Sequence, residues 1–387
     1  MLSKRIEKLS TSMTIAITTL ALELKAEGKD ILSFSAGEPD FDTPSAIRDE
    51  AKKALDEGKT RYTAVPGTPD LLKAVVDKLK RDNGLEYTVD MVQTNNGAKH
   101  SLFNLFQALV DEGDEVIVPS PYWVTYPELV KYSGGDVVTI ETSDKSDFKI
   151  TPEQLKRAIT PKSKILILTT PSNPTGSVYS KEELEAIADI LKGTDIIVFS
   201  DEMYEKLVYG DVEFTSTASI SEDMFNRTVT INGLSKSVAM TGWRFGYLAT
   251  PNIELVKAMN RFQSQSTSNV NSITQSAAIK GLDGTVDGEI EDMRRLFERR
   301  RDRAVELINS IDGLSVVKPD GAFYLFINIK GVSNDSMDFS KRLLESEGVA
   351  VVPGIAFGAE GYIRFSFATD VDTIEEGIRR LKRFVEG

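Results

Sequence analysis

Short apolar runs rich in β-branched residues alternate with helical patterns between about residues 90 and 250. Two of these runs, at 116–118 and 165–168, are continuously apolar, as strands buried on both faces of a sheet require. Strands separated by helical crossovers predict a mostly parallel sheet with helices on both faces. The predicted strands span residues 91–94, 115–118, 136–140, 164–169, 196–200, 228–231 and 245–249. The predicted helices span residues 98–109, 123–132, 151–158, 181–191 and 253–264.

The C-terminal part of the chain has a different pattern. A helical stretch rich in Glu and Arg precedes four short strand-like runs and a last helix, at 288–310, 314–317, 323–329, 349–352, 363–366 and 373–385. This order predicts a smaller α+β unit.

At the N-terminus, basic residues precede an apolar stretch, which loosely resembles a signal peptide. However, Glu23 and Lys25 continue the pattern at helical spacing, so we predict an amphipathic helix and a cytoplasmic protein.

Composition excludes several classes of function. The 387 residues carry a net charge of −13, which disfavours nucleic acid and anionic membranes as partners. No stretch reaches the ~20 apolar residues of a membrane span. The chain has no cysteine and one histidine, His100, so no metal site is expected. Acid–base chemistry near neutral pH therefore falls to a lysine, a carboxylate or a tyrosine with a shifted pKa.

Polar clusters follow several of the predicted strands. They are the segments 95–99 (NNGAK), 171–176 (PSNPTG), 201–204 (DEMY), 232–236 (NGLSK) and 240–244 (MTGWR). In an open parallel sheet, ligands bind beyond the carboxyl ends of the strands, so these clusters are expected to meet in one crevice. Each cluster alone is ordinary turn or cap chemistry; their joint occurrence in this order indicates a site.

The set of motifs resembles the class I aminotransferases among the fold-type I pyridoxal-phosphate enzymes, most closely the prokaryotic aspartate aminotransferase subgroup. The matching segments are 35–41 (SAGEPDF), 61–62 with Gly67, 119–123 (PSPYW), 171–176, 200–204, 235–236, 240–246 and Arg364. The resemblance implies an α/β fold, with a large domain around a mostly parallel seven-stranded sheet and a smaller α+β domain. We expect an N-terminal segment at 1–45 that packs on the small domain and the active site. A large cofactor-binding domain at 46–285 and a small domain at 286–387 follow.

The resemblance also implies how pyridoxal phosphate is held. Lys236 is expected to form a Schiff base with the cofactor aldehyde and then to carry the proton in catalysis. Asp201 is expected to pair with the pyridine nitrogen and keep it protonated. Tyr204 and Asn173 are expected to donate to the phenolic oxygen of the cofactor. Trp123 is expected to stack on the ring.

The phosphate of the cofactor requires a dense set of donors. The backbone N–H groups of Gly97 and Ala98 open a predicted helix, which suits an anion. Ser235 and Arg244 are expected to add a hydroxyl and a guanidinium. In family members a tyrosine at the position of Tyr62 reaches the phosphate from the neighbouring subunit. The resemblance therefore implies a homodimer with shared sites.

The amino acid substrate has its own predicted contacts. Arg364 is expected to bind the α-carboxylate with two parallel hydrogen bonds. Gly37 allows the backbone to approach the same carboxylate. Asn173 and Trp123 are expected to contact the substrate as well as the cofactor.

The choice of substrate depends on a further cation. A buried distal carboxylate needs a partner, and the arginine that serves in eukaryotic-type aspartate enzymes has no counterpart at 264–268. In the resembling prokaryotic subgroup a lysine serves, here Lys99, assisted by a threonine, here Thr14. Aspartate with 2-oxoglutarate, giving oxaloacetate and glutamate, is then the expected reaction. Alternatives are an aminotransferase for prephenate, aromatic amino acids or alanine, a carbon–sulfur β-lyase and, remotely, a non-catalytic regulator that binds the cofactor.

Overall fold

The structure, a computed structural model, describes residues 2–10 and 13–387; of residues 13–16 and 18 it describes the backbone and not the side chains. The strands are β1 (Leu32–Ser33), β2 (Val92–Asn95), β3 (Glu115–Ser120), β4 (Asp136–Glu141), β5 (Ser163–Thr169), β6 (Ile197–Asp201), β7 (Thr228–Gly233), β8 (Gly246–Ala249), β9 (Ser315–Val316), β10 (Tyr324–Asn328), β11 (Val349–Ala350), β12 (Val352–Pro353) and β13 (Tyr362–Ser366).

Helices surround these strands. In chain order they are α1 (Lys4–Glu7), α2 (Met13–Ala26), α3 (Ser45–Asp56), α4 (Pro69–Asn83), α5 (Ala98–Leu109), α6 (Thr125–Ser133), α7 (Pro152–Ala158), α8 (Lys181–Leu191), α9 (Glu222–Arg227), α10 (Ile253–Ser264), α11 (Ser272–Leu282), α12 (Asp287–Ile308), α13 (Ser336–Glu347) and α14 (Val371–Glu386). Of the helices described, none combines the length and the apolar composition that crossing a bilayer requires.

A seven-stranded sheet forms the centre of the larger part of the molecule. Its strand order is β2-β8-β7-β6-β5-β3-β4, and the neighbouring strands are parallel except that β8 runs antiparallel to β2 and β7. The predicted mostly parallel sheet is therefore confirmed. The predicted strand bounds differ from the observed ones by one or two residues, which is the usual uncertainty at element ends.

Alternate side chains of the sheet enter two different cores. Ile165 and Ile167 of β5 pack in the core that contains the apolar residues of α5, whereas Leu166 and Leu168 pack in the core that contains those of α8. Burying such a side chain fully contributes about 1.5–3 kcal/mol. Burial on both faces explains why the strands read as continuous apolar runs.

A second, antiparallel sheet has the strand order β12-β13-β10-β9. The N-terminal segment joins this part of the molecule because β1 pairs in parallel with β11. The single strand predicted at 349–352 is wrong in one respect, since β11 and β12 belong to different sheets. All four of its residues are buried, so the hydrophobic pattern contains no sign of the break.

The predicted helices need two corrections. The helix predicted at 123–132 begins at Thr125, which leaves Trp123 in the preceding turn. Helices α3, α4, α9, α11 and α13 were not in the predicted set. Helix α4 does carry strong local signals, because Thr68 caps its first turn, Pro69 opens it and Gly84 follows its end in the left-handed region.

Candidate active site

A cavity of about 550 Å³ lies at the carboxyl edge of the seven-stranded sheet. Thr169 and Asp201, the last residues of β5 and β6, line it together with residues of the loop after β7. Residues of the small sheet and of the N-terminal segment complete its wall. Most of the predicted site residues line this cavity: Gly37, Ala98, Lys99, Trp123, Asn173, Asp201, Tyr204, Ser235, Lys236, Arg244 and Arg364.

Asp201 presents a buried carboxylate to the cavity. Its Oδ2 accepts a hydrogen bond of 2.6 Å from Tyr126 Oη, and its Oδ1 accepts one of 3.3 Å from the backbone N–H of Met203. Burial raises the pKa of Asp201, although the bond from Tyr126 and the charge of Lys236 oppose that rise. A protonated ring nitrogen placed beside this carboxylate would favour its ionised form and would be held by it.

Lys236 is half-buried on the same cavity wall, and its Nζ donates to the backbone carbonyl oxygen of Gly37. Nζ lies 6.0 Å from the ring centre of Tyr204. Burial, followed by the positive charge of Arg364, lowers the pKa of Lys236 to about 8. A fraction of this amine is therefore neutral, and so nucleophilic, near neutral pH.

Tyr204 is buried, and its hydroxyl lies 2.9 Å from the hydroxyl of Tyr324 in β10. Burial and the neighbouring Tyr324 hold the pKa of Tyr204 well above its ordinary value, so the phenol keeps its proton at physiological pH. A protonated phenol can donate to an anionic oxygen in the cavity.

The turn before α5 has the geometry of an anion site. No side chain among the described residues caps α5, whose N-cap residue Gly97 has a φ of 82°. A Cβ at Gly97 would lie 2.5 Å from Nη2 of Arg244, so the guanidinium rests against the bare backbone. The backbone N–H of Gly97 donates to the carbonyl oxygen of Asn95 at 2.8 Å. Ala98, the first residue of α5, lines the cavity with Ser235 and Arg244, and a helix N-terminus beside a hydroxyl and a guanidinium suits a phosphate.

Arg364 is a buried cation, 3% exposed, in β13. Its Nη1 donates to Asn173 Oδ1 at 3.0 Å and its Nη2 to the carbonyl oxygen of Ser35 at 2.8 Å. Its Nε has no hydrogen-bond partner among the residues that the structure describes. Tyr324 lies beneath the guanidinium, with its ring centre 4.4 Å from Cζ.

Lys99 brings a further cation to the cavity. Its Nζ lies 4.9 Å over the ring of Trp123, within the range of a cation–π contact. Partial burial in the cleft lowers the pKa of Lys99, and the charge of Arg244 lowers it further. Within residues 2–10 and 13–387, no carboxylate forms an ion pair with this ammonium.

Two predicted residues that the structure describes are not part of the cavity wall. Gly97 lies directly beneath Arg244, next to the wall residue Ala98. Tyr62 is 90% exposed and does not line the cavity of its own chain. The side chain of Thr14 lies outside the described residues; the same helix contributes Thr19 to the cavity wall.

Sequence reasoning missed Tyr126 and Thr169. The hydroxyl of Tyr126 donates to Asp201 and lies 2.9 Å from the hydroxyl of Thr169, which therefore donates to it. Thr169 ends a predicted strand, so the rule of strand ends could have found it. Tyr126 occupies a buried helix position that is typical of a core residue.

Glu38, Thr241 and Tyr324 were also missed. Thr241 Oγ1 donates to Glu38 Oε2 at 2.8 Å, which ties the N-terminal segment to the loop of Lys236. The charge of Glu38 raises the pKa of Lys236, against the larger lowering effects. Glu38 belongs to the matching segment 35–41 (SAGEPDF), but no role was predicted for it from the sequence. Tyr324 had no signal beyond its place near the start of a predicted strand.

Pyridoxal phosphate fits this set of donors. The uncapped start of α5 with Ser235 and Arg244 suits its phosphate, and the buried carboxylate of Asp201 suits a protonated ring nitrogen. The low pKa of Lys236 suits an amine that meets an aldehyde.

Comparison with known proteins agrees with this geometry. A family model described as aminotransferase class I and II matches residues 29–381. The chain is 47% identical to an aspartate aminotransferase of Bacillus subtilis, over 100% of this chain and 99% of the relative. It is 44% identical to an aspartate/prephenate aminotransferase of Cereibacter sphaeroides, over 100% and 99% of the two chains.

Solved structures show the same fold. The crystal structure of the aspartate aminotransferase from Rhizobium meliloti matches with a TM-score of 0.97 and 40% identity, over 100% of this chain and 99% of that one. The Thermus thermophilus aspartate aminotransferase with maleate matches with a TM-score of 0.95 and 42% identity, over 99% of both chains. The predicted fold class is therefore confirmed. The chain belongs to the class I and II aminotransferases, a family of enzymes that depend on pyridoxal phosphate.

Proposed function

We propose that this enzyme transfers the amino group of aspartate to 2-oxoglutarate, giving oxaloacetate and glutamate. The observation that carries the proposal is the pair of cations, Arg364 and Lys99, that line the cavity beside Lys236. An amino acid with two carboxylates supplies one anion to each of them. A neutral side chain would leave Lys99 without such a partner.

The residues of the chain would act as follows. When bound, pyridoxal phosphate supplies an aldehyde that takes up the amino group and a ring that takes up the electron pair of the α-carbon. Lys236 Nζ would accept the proton from the substrate α-carbon and donate it to the former aldehyde carbon of the cofactor, since its lowered pKa leaves part of the amine neutral. Asp201 holds the proton on the ring nitrogen. Tyr204 and Asn173 bind the phenolic oxygen, and Trp123 packs on the ring.

Binding energy comes from the two ends of the site. The phosphate is held by Gly97, Ala98, Ser235 and Arg244, while Arg364 holds the α-carboxylate beside the backbone of Gly37.

We also propose a homodimer in which Tyr62 of each copy reaches the phosphate site of the other. The exposure of Tyr62, at 90%, supports this assignment. Thr14 as a helper of Lys99, the three segments 1–45, 46–285 and 286–387 and a cytoplasmic location stay predictions.

Prephenate is a second candidate substrate. Some relatives are named aspartate/prephenate aminotransferase, among them the one from Cereibacter sphaeroides at 44% identity. Prephenate also carries two carboxylates, so it too supplies one anion to each of Lys99 and Arg364. Alanine, aromatic amino acids and β-lyase substrates have no distal carboxylate for Lys99 and are less well matched.

The cofactor link can be tested first. Borohydride reduction should fix pyridoxal phosphate to the peptide that contains Lys236, as an added mass, and Lys236→Ala should abolish the label. A label found on another lysine would contradict the assignment.

Substrate choice is tested by Lys99→Met, with Lys99→Arg as the variant that keeps the charge. A charge-assisted hydrogen bond contributes about 1.5–3 kcal/mol, so Lys99→Met should lower kcat/KM for aspartate about 10- to 150-fold and leave that for alanine nearly unchanged. Lys131→Met, at an exposed lysine of α6, is the matched control. Equal losses for aspartate and alanine would exclude a role for Lys99 in recognising the distal carboxylate. Amino transfer to prephenate by the native enzyme decides whether that substrate is accepted too.

A further inference from the structure

Tyr62 belongs to a surface segment, residues 61–68, that is held from the interior by two glutamine side chains. Gln263 of α10 is 0% exposed and Gln275 of α11 is 1% exposed, whereas Tyr62 is 90% exposed. A buried amide is costly unless it is hydrogen-bonded. The hydrogen-bond partners of these two amides therefore show which parts of the chain the two glutamines hold in place.

Gln275 bridges the two ends of the segment. Its Oε1 accepts a hydrogen bond of 2.9 Å from the backbone N–H of Thr68. Its Nε2 donates to Thr63 Oγ1 at 2.8 Å and to the carbonyl oxygen of Val270 at 2.7 Å. Thr63 directly follows Tyr62, so one buried side chain fixes both ends of the stretch 63–68, which begins next to the tyrosine.

Gln263 holds the middle of the same segment and joins it to the cofactor site. Its Nε2 donates to the carbonyl oxygens of Val65 at 3.2 Å and Thr94 at 3.1 Å. Its Oε1 accepts from Asn95 Nδ2 at 2.6 Å and from Asn104 Nδ2 at 3.1 Å. Asn95 ends β2, two residues before the turn at Gly97 that opens α5.

A third contact strengthens this link. Thr94 donates twice to the carbonyl oxygen of Pro66, from its backbone N–H at 2.9 Å and from its Oγ1 at 2.8 Å. The segment of Tyr62 and the phosphate-type turn of the same chain are thus parts of one buried hydrogen-bond network. An exposed aromatic side chain such as Tyr62 gains no stability within its own chain from being held by this rigid hydrogen-bond network.

We propose that Gln275 and Gln263 are positioning residues: they fix segment 61–68 so that Tyr62 meets the cofactor phosphate in a second copy without further ordering. This inference rests on the proposed homodimer with shared sites. The physical reason is preorganisation, since a segment that is already ordered loses less conformational entropy when its side chain binds.

The test is a double-mutant cycle between Thr63 and Tyr62 in the holoenzyme. Thr63→Val removes the hydroxyl that accepts from Gln275 and keeps the shape of the side chain, and Thr63→Ser restores a hydroxyl. The dissociation constant of pyridoxal phosphate should rise about three- to tenfold in Thr63→Val, the effect of one lost hydrogen bond, and stay near the native value in Thr63→Ser. In a Tyr62→Phe background, Thr63→Val should have no further effect.

A second readout needs no cofactor. In the cofactor-free protein, hydrogen exchange of the amides in segment 61–68 should be faster in Thr63→Val than in Thr63→Ser. The melting temperature of each variant separates local loosening from general destabilisation, which would act equally in both backgrounds.

The possible results are distinct. Full loss of the Thr63 effect in the Tyr62→Phe background, together with faster exchange, supports the inference. A Thr63 effect that adds to that of Tyr62→Phe overturns the inference and leaves the shared site standing. If Tyr62→Phe alone leaves cofactor affinity unchanged, the proposed role of Tyr62 fails, and the inference fails with it.

Discussion

The substitution Arg364→Met separates most sharply the role of this arginine in substrate binding from its role in the stability of the fold. Arg364 is buried with two hydrogen bonds, to Asn173 Oδ1 and to the backbone of Ser35, and burial lowers its pKa. No carboxylate in the described part of the chain forms an ion pair with it. The penalty for burying a cation in this way is several kcal/mol, and a bound carboxylate offsets it.

The magnitudes follow from these contacts. Two charge-assisted hydrogen bonds to the substrate α-carboxylate, at about 1.5–3 kcal/mol each, together contribute about 3–6 kcal/mol. Arg364→Met should therefore lower kcat/KM for aspartate about 10²- to 10⁴-fold. Removing the cation also relieves its desolvation but takes one donor away from Asn173 Oδ1 and one from the carbonyl oxygen of Ser35. These terms oppose each other, so the free energy of unfolding should change by less than about 2 kcal/mol.

The assays are the rate of oxaloacetate formation from aspartate and urea unfolding of the same preparations. Arg364→Lys is the matched control, because it keeps the charge and lacks the fork that binds a carboxylate with two parallel bonds. It should be intermediate in kcat/KM. A loss of more than about 4 kcal/mol in the free energy of unfolding of Arg364→Met would show that the arginine is mainly structural. A kcat/KM within threefold of the native value would refute its role in binding.

Two further predictions concern the cofactor. Because the pKa of Lys236 is lowered to about 8, the cofactor-free protein should bind pyridoxal phosphate at a rate that rises with pH through about 8. That midpoint should move up in Arg364→Met and down in Glu38→Gln, and an unmoved midpoint in both would contradict the cause given for the shift. The same depressed pKa destabilises the fold below about pH 8, and this penalty should disappear as the pH rises towards the ordinary lysine value of about 10.4. Gly97→Ala places a Cβ at a φ of 82° and 2.5 Å from the guanidinium above it, so it should weaken cofactor binding at least tenfold and lower the free energy of unfolding by about 1–3 kcal/mol. Gly288→Ala in α12, where a Cβ meets nothing within 4 Å, is the control and should be neutral or stabilising; equal cofactor affinity in the two variants would refute the cradle at Gly97.

The buried parallel strands β3, β5 and β6 of the large sheet were predictable from the sequence for a physical reason. A parallel strand covered on both faces carries a nearly continuous apolar run, and polar residues begin at the carboxyl end of such a strand. Asp201 follows this rule directly, since it ends β6, and Lys236 follows it three residues after the end of β7. The roles of these residues came from the family resemblance and not from the pattern.

Other parts of the site depend on contacts between distant segments, which a local pattern does not contain. Tyr126 supports Asp201 across 75 positions in the chain, and Tyr204 meets Tyr324 across 120. In the sequence pattern, Tyr126 and Tyr324 look like ordinary core aromatic residues of a helix and a strand. The break at Val351 is hidden for a related reason, because β11 and β12 are both buried although they belong to different sheets.

The charges that line the cavity show why its polar residues indicate a site only when they are considered together. Four cations, Lys99, Lys236, Arg244 and Arg364, and two carboxylates, Glu38 and Asp201, line one cavity in a chain whose net charge is −13. Such a local excess of positive charge destabilises the protein by itself, since like charges repel and burial removes water from them. A phosphate and a dicarboxylic substrate supply the anions that balance it. Stability alone therefore disfavours these lysines and arginines. The binding of doubly anionic ligands is the physical reason that the protein keeps them.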